Sequence, residues 1–418
     1  MQLESKIKSF FKFRGIILSS ILIFSTITAF FIVPNIFNND NSTSSEQPYF
    51  GISFNGATVD EAKMLIDKTK DFTNLFVLQS GPISKNETAM NLICDYAVGA
   101  GLDFIVFFGW FDIEQEWQIP WLDFAKERWG DNFLGVYLYD EPGGIQLDYN
   151  WSRVFHRIKE IFPEFYESIS VYVQDNSTHT VVRDYDEAYN RYLDYIQNQL
   201  QLNQLVERSI TSYTSDYGLY WFDYLAGYDT VFVELGWGHD SAKHIGLGRG
   251  AATVQEKDWG AIIVWNDVDR ENERHKGDYK SGSEMLDDMF DAYEAGADYI
   301  IVFNYPTDPP GNPYGILTEE HFDAIELFWD YMQENPDRYG MLRAEAVLVL
   351  PKNYAWGMRR VEDRIWGYWG PDEKSEQIWE LSQHLLSEYG FSLDIVYEDS
   401  SFLVEEYYQK VVYWNFTK

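Results

Sequence analysis

The stretch FLGVYLYDEPGG, residues 133–144, decides the fold. It reads as a short apolar strand that stops on two adjacent carboxylates, Asp140 and Glu141, before a proline and two glycines. A strand of this kind delivers its last residues to one rigid place, so the question is what lies around that place.

Outward from this stretch, short apolar strands alternate with amphipathic helical patterns, which is the signature of a parallel sheet. The strand candidates are YFGISFNG, TNLFVLQSG, LDFIVFFGWF, FLGVYLYDEP, SITSYTS, DTVFVELGWG, WGAIIVWNDV and DYIIVFNYP. Helical segments such as VDEAKMLIDKTKDF and TEEHFDAIELFWDYMQEN fill the intervals, and several end in glycine just before the next strand, as in AVGAGLDF. Eight such units over residues 49–340 predict an α/β fold, a (β/α)8 TIM barrel. A doubly wound open sheet is the competing arrangement, but it has fewer strands and a glycine-rich first turn that is missing here. The fifth strand follows a longer insertion and is the least regular. Residues 341–418 change pattern and predict a small C-terminal α/β appendage built from AEAVLVLPKNYAWG, the helix SEQIWELSQHLLSEYG, and the strands FSLDIVYED and KVVYWN.

The N-terminus is a separate unit. Residues 1–15 carry Lys6, Lys8, Lys12 and Arg14 against Glu4 and form a basic leader. Residues 16–37 are uncharged and apolar, long enough to cross a bilayer core of ~30 Å as a helix. They predict a transmembrane anchor or signal segment, with the basic leader on the cytoplasmic side and the remainder exported. Residues 38–48 then form a polar tether. Glycosylation sequons at Asn41, Asn86, Asn150, Asn176 and Asn415 suit an exported glycoprotein. The expected location is the cell membrane, single-pass with the barrel outside, or secreted if the segment is cleaved. Cys94 is the only cysteine, so no intrachain disulfide forms, and its apolar helical setting makes it a core thiol. The net charge of −35 repels phosphate backbones and disfavours nucleic acid as a partner. Neutral glycans meet no such penalty.

In a (β/α)8 barrel the chemistry sits at the C-terminal ends of the strands. Alternation along a strand sorts which residues face inward. On the fourth strand it groups Val136, Leu138 and Asp140 outward, and Tyr137, Tyr139 and Glu141 inward. On the sixth it sends Phe232, Glu234 and Gly236 inward and Val231, Val233 and Leu235 outward. Asp267 ends the seventh strand. Glu141 is the candidate acid/base, Glu234 its candidate partner and Asp267 the alternate partner. The remaining strand ends supply Asn55, Gln79, Trp110, Trp237, Trp265, Asn304 and Tyr305, which with Asp140 are candidate substrate-binding residues; Asp112 and Asp216 also end strands. Amides bind sugar hydroxyls as donors and acceptors, and indole or phenol faces cover sugar C–H faces. Two opposed carboxyl groups are the working parts of glycoside hydrolysis. For each acid the competing reading is a helix cap or a loop clasp.

FLGVYLYDEP within the eight-unit pattern resembles the (β/α)8 superfamily of glycoside hydrolases, many of which end strand four on the acid/base carboxylate. The resemblance implies a hydrolase acting on O-glycosyl bonds of extracellular polysaccharide or surface glycan, with no cofactor and no metal. In the largest retaining clan an Asn–Glu pair ends strand four and a Glu ends strand seven. Here the pairs are Asp140–Glu141 and Asn266–Asp267, and clans that pair strands four and six match Glu234 instead. The alternative from another class is a non-catalytic glycan-binding or structural cell-surface protein on the same barrel.

Other motifs carry less. HIGLGRGAA, residues 244–252, lacks the lysine of a phosphate loop and the spacing of a dinucleotide fingerprint, and reads as a glycine-rich entry into a helix, with Arg249 a candidate ligand contact. The seven histidines are scattered, and His239 and His244 read as loop residues rather than metal ligands. The run YAWGMRRVEDRIWGYWGPDE reads as packing between the barrel and the appendage.

Overall fold

The computed structural model describes residues 47–111, 114–149, 183–265, 279–306 and 311–415. The apolar segment 16–37, most of the tether, Asp112, Asn266, Asp267 and the sequons at Asn41, Asn150 and Asn176 lie outside the described residues. Among the described residues no helix is long and apolar enough to cross a membrane.

Eight parallel strands close into a barrel in chain order: β1 Tyr49–Ser53, β2 Leu75–Leu78, β3 Asp103–Phe108, β4 Phe133–Leu138, β5 Ser212–Asp216, β6 Thr230–Leu235, β7 Asp258–Ile263 and β8 Tyr299–Val302. The β1–β8 pairing, Tyr49 opposite Tyr299, completes the ring. The irregular fifth segment does form its strand, and the expected barrel is the observed one. The helices are α1 Val59–Thr69, α2 Glu87–Gly99, α3 Gln118–Trp129, α4 Pro142–Asp148, α5 Tyr185–Asp194, α6 Asn203–Val206, α7 Tyr220–Ala226, α8 Ser241–Gln255, α9 Gly282–Glu294, α10 Glu319–Glu334 and α11 Glu373–Tyr389. Their starts follow local capping chemistry. Thr58 and Glu61 form a reciprocal capping box at α1, as do Ser281 and Glu284 at α9. Asn86 caps α2 through Ala89, which gives one sequon asparagine a structural task.

The barrel interior is filled by Leu75, Val77, Ile105, Tyr137, Tyr213, Phe232, Ile262, Tyr299 and Ile301. Aromatic residues take an unusual share of it. Tyr213 stacks on Phe232 with ring centroids 5.5 Å apart and shares a 3.1 Å hydroxyl contact with Tyr299. The phenols thereby satisfy one another where water is excluded. Cys94 is buried in α2, and burial pushes its thiol well up, as expected of a packed thiol.

A second, three-stranded parallel sheet follows in the order β10–β9–β11, from Leu393–Tyr397, Ala346–Leu350 and Lys410–Tyr413. Helix α8 lies between it and the barrel, and its glycines explain HIGLGRGAA. A Cβ on Gly246 would stand 2.3 Å from Leu393 O, and one on Gly248 2.2 Å from Val233 Cγ2. The glycines therefore serve close packing on both sides. Arg249 is no ligand contact. Its guanidinium pairs with buried Asp394 at 2.8 Å and donates to Leu342 O and Phe391 O, while Tyr408 donates to Asp394. The tryptophan-rich run also packs inward, with Trp356 and Trp366 buried and Arg359 bridging Asp363 and Asp148.

Removing one partner of a buried, hydrogen-bonded ion pair leaves the other charged group unmatched in a dry interior. Arg249→Met should therefore destabilise the protein by about 3–5 kcal/mol, read as a lower urea midpoint in equilibrium unfolding. A loss below about 1 kcal/mol, the level of an exposed pair, would mean the pair does not hold the second sheet in place.

Candidate active site at the barrel mouth

The end of β4 and strand β6 bring three carboxyl groups to one cleft, and β5 adds a serine. Its lining is Gln79, Asp140, Glu141, Ser215, Glu234, Trp237, Ile262, Val264 and Phe303, with roughly 240 Å3 of space including its open mouth. Ile262, Val264 and Phe303 form the apolar part of the lining, with Ile262 beside Glu234 across the β6–β7 pairing. Among the described residues, no lysine, arginine or histidine lines the cleft.

At β4 the expected alternation fails after Leu138. Tyr137 faces the interior as predicted, but Tyr139 and Glu141 both adopt left-handed backbone, with φ of 61° and 51°. Each such non-glycine residue costs of order 1 kcal/mol or more, so the surroundings must hold it there. The rotation at Tyr139 turns Asp140 inward instead of outward. This corrects the parity assignment: the Asp140 carboxylate accepts from the Tyr137 hydroxyl, and its Oδ1 lies 3.2 Å from Ser215 Oγ. Glu141 sits at the head of α4, half-buried, and still lines the cleft.

The clasp behind this turn is Asp216. Its carboxylate accepts from the backbone N–H groups of Gly143, Gly144, Tyr217 and Gly218. The approach requires both glycines of DEPGG. A Cβ at Gly143 would lie 2.5 Å from Gly218 O, and one at Gly144 2.2 Å from the Tyr217 ring. Pro142 supplies the fixed φ of a first helical residue. Behind Asp216 lies Asp223, which accepts from the Tyr192 hydroxyl. Burial pushes Asp223 up to about 7. Burial and Asp223 also push Asp216 up, but four N–H donors aim at its oxygens, so the charge resides on Asp216 and the proton on Asp223.

On β6 the alternation holds. Val233 faces α8, and Glu234 points into the cleft, only 4% exposed. Its Oε1 lies 2.8 Å from Ser215 Oγ, and its Oε2 accepts from Trp237 Nε1. Burial first, then the neighbouring Asp140 charge, pushes Glu234 up to about 7. Burial also raises Asp140, against the hydrogen bonds from Tyr137 and Ser215. Because Asp140 Oδ1 and Glu234 Oε1 contact the same Ser215 oxygen, at 3.2 and 2.8 Å, they are at most about 6 Å apart.

The structure distributes the other expected residues unevenly. Gln79 and Trp237 join the carboxylates in the cleft. Trp265 packs edge-on against Trp237 at 5.9 Å, outside the lining. Asn55 and Asn304 line a neighbouring pocket with Phe54, Gly56 and Glu61, where Asn55 Nδ2 donates to Asn304 O at 2.7 Å. Trp110 and Tyr305 are 53% and 52% exposed and line neither. Asp267 lies outside the described residues. Gln79 Oε1, Trp265 Nε1 and Asn304 Oδ1 are buried with no hydrogen-bond partner among the described residues, at the ends of β2, β7 and β8. Ligand hydroxyls or water can satisfy them. Sequence reasoning passed over Ser215 and Tyr137. The signal for Tyr137 was its place on the inward face, three residues before the first acid; Ser215 had none beyond being a small polar residue next to Asp216.

No protein-family model matches this chain, and no curated protein matches it. Among solved structures, a β-1,3-glucanosyltransferase from Rhizomucor miehei is 15% identical, covering 64% of this chain and 92% of its own, with a TM-score of 0.37. Orotidine 5'-monophosphate decarboxylase from Methanocaldococcus jannaschii is 8% identical, covering 68% and 98%, with a TM-score of 0.34. A GH99 endo-α-mannosidase from Bacteroides thetaiotaomicron is 11% identical, covering 67% and 79%, with a TM-score of 0.31. At such scores the likenesses carry no inference about activity, and the barrel rests on the strand pairings themselves.

A carboxyl group whose pKa is raised on folding binds a proton that the unfolded chain has released. Its contribution is complete below the unfolded value near 4.5 and is lost as pH rises through the folded value of about 7. The melting temperature should therefore fall between about pH 5 and pH 8. Glu234→Gln should flatten that fall and raise stability at pH 8 by about 3 kcal/mol at most. Asp223→Asn should act in the same direction. Calorimetric scans across this range give the check, and an unchanged slope in both variants would contradict the assignment.

Proposed function

We propose that the barrel mouth hydrolyses O-glycosidic bonds of a neutral polysaccharide or surface glycan. The observation that carries this reading is the placement of Asp140 and Glu234 on one serine hydroxyl, with Glu234 suited to hold a proton near neutrality. Glycoside hydrolysis needs one protonated and one ionised carboxyl group. A separation within about 6 Å sits beside the ~5–5.5 Å of retaining enzymes and below the ~6.5–9.5 Å of inverting ones.

In this reading Glu234 gives its proton to the glycosidic oxygen as the bond to the anomeric carbon breaks. The Asp140 carboxylate adds to that carbon and forms a glycosyl ester. Water, deprotonated by Glu234, then cleaves the ester, which releases the sugar and returns both groups to their starting states. Glu141 stands on the same cleft and contacts the leaving side. The apolar part of the lining and Trp237 receive the sugar's C–H face. The chain's net charge of −35 disfavours uronates and sulfated sugars. We also propose that residues 16–37 hold the barrel at the outer face of a membrane, as their apolar length and basic leader suggest.

The test is turnover of a panel of neutral and anionic polysaccharides by the purified protein. Neutral substrates should be cleaved and polyuronates spared, with the rate falling as pH rises through about 7. Asp140→Asn and Glu234→Gln should each lower kcat by about 10³-fold or more, and Glu141→Gln by roughly 10–100-fold. A deeper loss in Glu141→Gln would move the acid to that residue. Glycan binding without turnover would replace the reading with a non-catalytic binding protein.

A further inference from the structure

Four contacts join the two carboxyl groups through oxygen atoms alone, the longest being Ser215 Oγ to Asp140 Oδ1 at 3.2 Å. Glu234 Oε1 lies 2.8 Å from Ser215 Oγ, Ser215 Oγ lies 2.7 Å from the Tyr137 hydroxyl, and that hydroxyl bonds to Asp140 Oδ1. Gln79 Nε2 also donates to the Tyr137 oxygen, at 3.3 Å. Each link between two oxygens needs one hydrogen. The serine and tyrosine hydroxyls supply two hydrogens for the three shorter links, and an acid proton on either carboxyl group completes them. Two arrangements satisfy the whole chain. In one, Glu234 donates to Ser215, Ser215 to Tyr137, and Tyr137 to the Asp140 carboxylate. In the other every bond runs the opposite way and Asp140 holds the acid proton.

We infer that Ser215 and Tyr137 form a proton wire through which Asp140 and Glu234 share one acid proton, so that one carboxyl group is protonated whenever the other is ionised. Passing between the two arrangements moves one proton along each link and leaves both hydroxyls intact, so no charge is left on either. The wire lies beneath the cleft, where Tyr137 is fully buried, so it operates while a ligand shuts out solvent. A proton that lands on Asp140 returns to Glu234 without reaching bulk water. Ser215 and Tyr137 are positioning residues in this scheme, since they act through the two acids. The inference rests on the proposed hydrolase reading for its catalytic consequence but not for its proton count.

The count is measured first, from the infrared carbonyl band of protonated carboxyl groups in the full-length protein at pH 6. The wild type minus the Asp140→Asn, Glu234→Gln double variant should amount to one carboxyl group. A difference of none or two overturns the wire, whatever the protein's activity. On a cleaved glycan, Ser215→Ala should lower kcat at pH 7 about tenfold with KM within about threefold. It should also move the alkaline limb of the kcat/KM profile down by about one pH unit. Ser215→Thr, which keeps the hydroxyl, should restore the profile. Tyr137→Phe should behave as Ser215→Ala does, each variant being used only if its circular dichroism matches the wild type. Turnover with an unchanged profile in both would overturn the wire and leave the hydrolase reading standing. A count of one in a protein that cleaves nothing would keep the wire and remove the hydrolase.

Discussion

The mouth of this barrel depends on one close approach, that of the β5 end to the turn after β4. Asp216 gathers four backbone N–H groups, two of them from Gly143 and Gly144 at the head of α4. The bonds anchor a turn that holds two left-handed residues, Tyr139 and Glu141, against their own preference. They also set Ser215, the neighbour of Asp216 on the same strand, between Asp140 and Glu234. Alternation along β5 thus gives two consecutive residues opposite tasks: one holds the backbone of the turn, the other joins the acids that the turn presents. The glycines follow from this constraint, since a side chain at either position would collide with the β5 turn.

Most of the barrel was legible because its signals are local and repeated. Eight apolar runs, each followed by a helical period, leave few other ways to bury them. Glu234 was legible for the same reason, as the strand around it is regular up to Leu235. Asp140 was misassigned because strict alternation assumes an unbroken strand, and the φ of Tyr139 ends that assumption one residue early. Nothing in the letters YDEP shows a left-handed tyrosine; its backbone is held by Phe108 O and Thr214 Oγ1, on neighbouring strands. Ser215 was illegible for a related reason. Its importance comes from two partners on different strands, and no sequence periodicity carries such a triple contact. HIGLGRGAA was seen as structural but for a looser reason than the true one, which is contact with two sheets at once.

The site is costly to keep folded. Glu234, Asp140 and the Asp216–Asp223 pair lie in or beside the cleft, and burial raises each of them. A core built for stability alone would place apolar groups there. The aromatic filling of the barrel below helps to offset this cost, because its phenols bury large areas while meeting their own hydrogen-bond needs.

Helix α8 has a consequence for how the chain unfolds. It packs against β6 through Gly248 and against β10 through Gly246 and Gly250, while Arg249 reaches across to Asp394. A helix stripped of side chains on both flanks has little grip of its own, since glycine gives it neither helical preference nor apolar cover. Each sheet therefore supplies the cover that lets α8 serve the other. Such a shared element ties the two sheets together, so α8 cannot leave one without uncovering the other.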